Sequence, residues 1–306
     1  HLAQGNLEST VALAERWGDR IDDATGRVSL VQLRVKALKG LGRNEEALAF
    51  SETLLQSAGD DEDAALMARL EIAHEQLNRG EYDVAIASYR ALEEMTSDSS
   101  TKASMLLSVG RAQVAAADGA AAQSTYQQVI RDYAGYAEAV FEAQMGLADV
   151  DRLEGQLESA IRRYEGLNGP DLGSEVWRRE QLAQAWTQSG DQAKARRIYE
   201  AILRDYPANV AATATARNGL AGVLRSAGDL ETARGLYRQV AVHSADTTQR
   251  AWAELNAAGI LLEQGQMDEA FFALRKVEKE SVDPEVKLQA RLNMASIYLE
   301  KGRPEQ

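Results

Sequence analysis

The sequence predicts an all-α protein, an α-solenoid of antiparallel helix pairs, and three observations carry that prediction. The first is composition: of 306 residues 52 are alanine, Leu, Glu, Arg and Gln are abundant, and only 4 are proline. These are strong helix formers with little β-branched enrichment. The second is punctuation, a small residue that recurs at spacings of 35 to 38 residues. The third is a fixed set of neighbours around each of those positions. A compact bundle has no need of one register repeated along its length, whereas stacked hairpins require it.

The recurring positions, here called turn positions, are Gly5, Gly42, Gly80, Ala117, Gly155, Gly190, Gly228, Gly265 and Gly302. Glycine ends a helix in the left-handed conformation without a Cβ penalty, so each marks a tight turn between two helices. Five residues later stand Ala47, Ala85, Ala122, Ala160, Ala195, Ala233 and Ala270, with Thr10 the exception. Seven residues earlier stand Ala73, Gly110, Ala148, Ala183, Ala221, Ala258 and Ala295, with Val35 the outlier. Small residues on both sides of the turn let the two helices approach closely. Nine residues after the turn come Tyr89, Tyr126, Tyr164, Tyr199 and Tyr237, placed to fill space against the next unit. Leu92, Val129, Leu167, Ile202, Val240 and Val277, twelve after, continue the same face at helical spacing.

The register divides the chain into helix-pair units at about 1–22 (partial), 27–58, 62–97, 100–133, 136–167, 174–205, 209–243, 247–280 and 284–306 (partial). Helix-start chemistry marks the joints: Asp283 caps, Pro284 takes the first helical position, and Asp60, Asp61 and Asp63 offer caps to another unit. All 4 prolines fall in joints or turns. One joint departs, with two glycines and a proline between Leu167 and Ser174; it reads as a hinge or as a short rigid turn. Both ends read as cut inside a longer array.

The stretch Arg217 to Gln239, "RNGLAGVLRSAGDLETARGLYRQ", carries small residues, Gly, Ala and an aromatic in the order of the tetratricopeptide repeat, and Pro207 occupies that motif's terminal proline. The chain resembles that family over essentially its whole length, with a unit of about 37 residues instead of the family's shorter one. The long form, with "YP" before alanine-rich helix starts, is similar to bacterial envelope members. The resemblance implies a right-handed superhelix whose concave surface is lined by the first helix of each unit, and a protein–protein interaction role. The residues mapped onto that surface lie 13, 10, 6 and 3 before each turn. Among them Met67, Leu70, His74, Arg111, Met145, Trp177, Glu180, Asn218, Trp252 and Leu255 are the expected partner-binding set. Trp177 and Trp252 are the expected anchors, whereas Trp186, four before its turn, is expected in the core. No asparagine lies six before any turn, so the Lys/Asn set by which chaperone-binding members grip a C-terminal carboxylate is missing.

Charge and residue inventory narrow the function. With 34 basic and 47 acidic residues the net charge is -13, which disfavours nucleic acid and suits amphipathic or cationic partner segments. The chain has no cysteine, which rules out disulfides and thiolate chemistry and fits a bacterial envelope compartment. No apolar run is long enough to span a bilayer. His1, His74 and His243 form no metal-binding pair, the aspartates near residue 60 lack the rest of a calcium loop, and no phosphate-binding loop or nucleophile motif appears. The expectation is a scaffold without catalysis, cofactor or metal, binding a peptide or helix within a bacterial multiprotein assembly. Self-assembly through the array, or substrate recognition for an enzyme elsewhere in a larger chain, are the alternatives.

Overall fold

A computed structural model describes residues 4–17, 24–57 and 62–300; all are helix, turn or joint, with no strand among them. The fold falls into two compact units, residues 1–154 and 155–306. The first holds α1 (Gln4–Trp17), α2 (Ala24–Gly40), α3 (Asn44–Ser57), α4 (Glu62–Asn78), α5 (Tyr82–Met95), α6 (Ser99–Ala115), α7 (Gly119–Asp132) and α8 (Ala137–Leu153). The second holds α9 (Leu157–Glu165), α10 (Leu172–Gln188), α11 (Gln192–Asp205), α12 (Val210–Ser226), α13 (Leu230–His243), α14 (Thr247–Glu263), α15 (Met267–Glu280) and α16 (Pro284–Glu300). Within each unit, helices consecutive in sequence pack against one another, as in an all-α solenoid.

The turns follow directly from the sequence. Gly42, Gly80, Gly155, Gly190, Gly228 and Gly265 all have positive φ, and Ala117, which replaces glycine in the same register, is held at φ 60°. At Gly228 the turn closes by two backbone bonds, Gly228 N–H to Arg225 C=O at 3.0 Å and Asp229 N–H to Leu224 C=O at 2.9 Å. This is the Schellman pattern, which satisfies carbonyls that the helix end leaves open. Asp229 then opens the next helix, its side chain accepting from Thr232 N–H at 3.3 Å. Asp118 and Asp191 cap α7 and α11 in the same way. One residue therefore ends one helix with its amide and starts the next with its carboxylate.

Asp283 accepts from the amides of Glu285 and Val286, as its place before Pro284 predicts. Asp63 instead lies inside the first turn of α4, and Asp60 and Asp61 are outside the described residues. Gly5 lies within α1, which begins at Gln4, so it is not the turn glycine the register suggests. Gly302 lies outside the described residues.

The alanines five after each turn, from Ala47 to Ala270, are all buried, and so are the five tyrosines. Tyr126 of α7 lies between two glycines. A Cβ added to Gly110 of α6 would sit 2.5 Å from the ring, and one added to Gly146 of α8 would sit 2.4 Å from it. In the second unit Tyr199 of α11 meets Gly219 of α12 the same way, at 2.1 Å. The tyrosine thus fills a notch in the first helix of the following pair, nine residues before that helix's own turn. The inventory of small residues in the sequence identified Gly110 but not Gly146 or Gly219. Their signal was present: a tyrosine nine after one turn followed by a glycine nine before the next.

The short interval arises because α9 has 9 residues where α11, α13 and α15 have 14. Leu167 therefore stands in the joint, past the helix end, and does not extend its apolar face. The joint is clasped. Glu175 accepts from Gly169 N–H at 3.2 Å and from both Arg178 and Arg179, while Arg178 also donates to the Tyr164 carbonyl at 2.8 Å. Gly169 lies so close to the start of α10 that a Cβ there would come within 2.3 Å of the Glu175 amide nitrogen.

Candidate partner-binding face

Residues 13, 10, 6 and 3 before each turn lie on the first helix of each pair, and within each unit 17-residue helices of matching register hold them in a row. In the first unit the row is polar but largely neutralised. Gln32 of α2 donates to the Met67 sulfur of α4 at 3.7 Å, and Lys39 pairs with Glu71. Arg111 of α6 is exposed and bridges to Glu142 of α8 at 3.2 Å, also donating to Ser108 Oγ at 2.9 Å. The contacts from Gln32, Lys39 and Arg111 to Met67, Glu71 and Glu142 each tie one first helix to the next.

Leu70 is half-buried against the cluster of Tyr89 and Leu92. His74 lies on the same helix with its ring 5.7 Å from that of Tyr89. Burial holds its pKa below the ordinary histidine value, with Lys39 and Arg111 adding to the effect and Glu71 opposing it. His74 is therefore neutral at pH 7. The Tyr89 hydroxyl is buried without a hydrogen-bond partner, and its pKa is pushed up to about 12 by that burial.

Met145 departs from expectation. It is fully buried in α8, and Leu255 of α14 is only 3% exposed, so neither is available to a partner. Leu107 is buried as well. The position ten before the turn sits at the seam where a first helix meets its neighbours. At Leu107, Met145 and Leu255 the long apolar side chain is drawn into the core, because burying it gains about 1.5–3 kcal/mol, whereas Leu70 stays half-buried and Leu292 exposed.

In the second unit Trp177, Glu180 and Asn218 are half-buried, as is Trp252, which rests on the cluster containing Leu255, Leu274 and Val286. Trp186 packs against the neighbouring core as expected, with the Lys194 ammonium 3.5 Å from its ring centroid. Glu180 is set apart from the acidic residues of the first unit. Its carboxyl is pushed above the usual carboxylate range by burial, opposed only by a hydrogen bond from Gln184, and no cation among the described residues pairs with it. The Oδ1 atom of Asn218 is buried and accepts no hydrogen bond. Further along the row Arg225 of α12 reaches Glu263 of α14, its Nε 2.7 Å away.

Among the described residues no group of His, Asp or Glu side chains is placed to hold a metal ion, and no helix is long and apolar enough to cross a membrane. These positions offer aromatic surface, hydrogen-bond acceptors and isolated charges.

Comparison with known proteins bears on the fold. The family model of the tetratricopeptide repeat-like domain matches residues 173–288. The chain is similar to a solved tetratricopeptide repeat protein from Parabacteroides merdae, at 16% identity and a TM-score of 0.51, covering 78% of this chain and 88% of that one. It is similar to the APC/C heterotetramer Cut9–Hcn1 at 17% identity and a TM-score of 0.52, covering 95% of this chain and 53% of that one. A signal-transduction ATPase with a tetratricopeptide repeat sensor from Pyrococcus horikoshii is similar at 14% identity and a TM-score of 0.55, covering 94% of this chain and 46% of that one. This chain thus spans about half the length of the last two. No curated protein sequence matches significantly. At these identities the structural likeness concerns the fold alone. The recurrent positive-φ turns and the buried alanine and tyrosine register agree on a tetratricopeptide-like repeat fold, and residues 173–288 carry the match to the tetratricopeptide repeat-like domain.

Proposed function

We propose that this chain is a protein–protein interaction scaffold, and that the first-helix face of its second unit takes a peptide or helix of a partner within a multiprotein assembly of the bacterial envelope. The observation that carries the reading is the half-buried pair Trp177 and Trp252, at the same register on α10 and α14, on a helix row that also holds the uncompensated Glu180. Indole rings that are neither swallowed by the core nor fully in water are the usual anchors of an interface. The bacterial envelope setting rests on the sequence resemblance, and the scaffold role needs no catalytic group in this segment.

Affinity capture with the chain and with its Trp177→Ala/Trp252→Ala variant as paired baits tests the proposal. A protein held by the first and lost by the second supports the face; equal retention by both moves binding elsewhere. A second reading has an observation of its own. Leu288, Leu292 and Leu299 form an exposed apolar stripe on α16, and Leu299 is 65% exposed. A second copy of the chain seated on that stripe would make the protein self-associating, and a concentration series by light scattering distinguishes this from a monomeric binder.

A further inference from the structure

Comparing the repeats with one another isolates a site that no single repeat would show. Ten residues before the turn, the described first helices carry Gln32, Leu70, Leu107, Met145, Glu180, Asn218, Leu255 and Leu292. Five of the eight are apolar, and Gln32 already donates to Met67. Glu180 and Asn218 are the other two polar residues, and they stand on α10 and α12, which pack directly on one another. Neither is provided for by the fold. Glu180 meets the Gln184 side chain but no cation, and Asn218 Oδ1 is buried without a donor. The ring of Tyr199, seated in the notch at Gly219, lies close enough to feel the Glu180 charge. Burying an acceptor without a donor, or a carboxylate without a cation, is unfavourable, so a leucine at either position would be the more stable choice.

A carboxylate without a cation and an amide oxygen without a donor, at one register on adjacent helices, call for a ligand that brings several donors and a positive charge. We propose that Glu180 and Asn218 form a subsite for the guanidinium of an arginine on the partner segment. The inference rests on the proposed first-helix binding face and specifies what that face recognises. Three chemical matches select arginine. Its planar fork presents five N–H donors, enough to bond a carboxylate and an amide oxygen at once. It stays ionised when taken out of water, unlike lysine. Its flat face stacks on indole, and Trp177 lies three residues before Glu180 on the same helix. The net charge of -13 favours the approach of such a segment.

The test uses the whole chain and immobilised pools of short peptides with randomised flanks, the central residue fixed as arginine or as its uncharged analogue citrulline. The arginine pool should bind about tenfold more tightly than the citrulline pool. Glu180→Gln should bring that ratio close to one, and Asn218→Leu should lower it several-fold. Glu285→Gln, an equal loss of charge on exposed surface of α16, should leave it unchanged. Both site variants should melt at or above the parent temperature, because each removes an unsatisfied group; a merely structural role would predict the opposite. Equal binding of the two pools, or a ratio that survives Glu180→Gln, overturns the subsite. If Trp177→Ala/Trp252→Ala then weakens both pools alike, the binding face stands without it. If that variant binds both pools normally, or if no pool binds the parent chain, the binding face fails too.

Discussion

Two glycine-to-alanine substitutions on neighbouring helices should have opposite signs, and the difference measures how tightly the repeats interlock. Gly235 lies within α13, exposed, with nothing within 4 Å of the position a Cβ would take. Gly235→Ala therefore keeps the whole helix-propensity gain, about 0.8–1 kcal/mol. Gly219 lies within α12, where the same propensity gain applies, but its new Cβ would stand 2.1 Å from Cζ of Tyr199 and 2.6 Å from its hydroxyl. Carbon atoms in contact rest about 3.5–4.0 Å apart, so ring or helix must retreat by roughly 1.5 Å. Tyr199 is only 3% exposed and has nowhere to go without displacing Ala183, Ile202 or Leu220 in the same core cluster.

Overfilling of this kind costs roughly 1–3 kcal/mol, and at so deep an overlap the upper half of that range applies. Subtracting the propensity gain leaves Gly219→Ala destabilising by about 1–2 kcal/mol. The two variants should thus differ by about 2–3 kcal/mol in urea unfolding followed by helical circular dichroism. Repetition of Gly219→Ala in a Tyr199→Leu background, where the ring is gone, should recover most of the loss. If Gly219→Ala stabilises the chain as much as Gly235→Ala does, the notch is not what seats Tyr199 and the packing argument fails.

Other expectations follow from the same structure. Ala117 is held at φ 60°, where an L-residue costs about 1–2 kcal/mol, so Ala117→Gly should stabilise by up to about 1 kcal/mol after the added unfolded-state freedom is subtracted; an unchanged urea midpoint would mean the turn is not strained. Ala233 is wholly buried, and Ala233→Leu should cost roughly 1–3 kcal/mol, with a neutral melt ruling out the close helix approach assigned to it. Burial raises the Glu175 pKa, but the bonds from Arg178, Arg179 and Gly169 outweigh it and hold the carboxyl down to about 2. That carboxylate's contribution, roughly 1–2 kcal/mol after solvent screening, is complete above its ordinary pKa of 4.5 and is lost as pH falls from 4.5 through about 2; Glu175→Gln should flatten the acid limb of a stability–pH profile. The same clasp should give amides from Asn168 to Ser174 exchange as slow as at the other joints, and faster exchange confined to them would restore the hinge.

What the sequence revealed and what it concealed divide along physical lines. Turn positions were legible because a left-handed helix end demands a particular residue: wherever the repeat placed glycine between Gly42 and Gly265, φ is positive, and Ala117 obeys the register at a cost. The alanines were legible for a similar reason, since only a small side chain fits where two helices touch. Gly5 misled because one glycine near a helix start satisfies the spacing without making a turn. Met145 and Leu255 misled because the seam position ten before the turn is neither inside nor outside by register alone. Whether a side chain there is swallowed depends on how closely the neighbouring helices approach, and that distance is set by pairs from separate helices, such as Tyr126 of α7 seated on Gly146 of α8. The neutralising bridges along the first unit's row, Arg111 to Glu142 and Lys39 to Glu71, were hidden for the same reason: they join residues about one repeat apart.

A repeat array supplies its own control experiment. Every unit solves the same packing problem, so the commonest residue at a register position estimates what stability alone prefers there. Ten before the turn that residue is apolar, and the positions of Leu107, Met145 and Leu255 are core. Glu180 and Asn218 depart from the preference at neighbouring units, the first leaving a buried charge without a cation and the second an amide oxygen without a donor. Burial keeps the Glu180 carboxyl above the ordinary range, so its ionised form is penalised and stability falls as pH rises through that range towards neutrality. Glu180→Gln should therefore raise the urea midpoint at pH 7 and change it little at pH 3, where the unfolded chain is also protonated. If the substitution lowers stability at pH 7, the carboxylate is compensated within the fold beyond its hydrogen bond from Gln184, and the reason for placing an arginine there disappears.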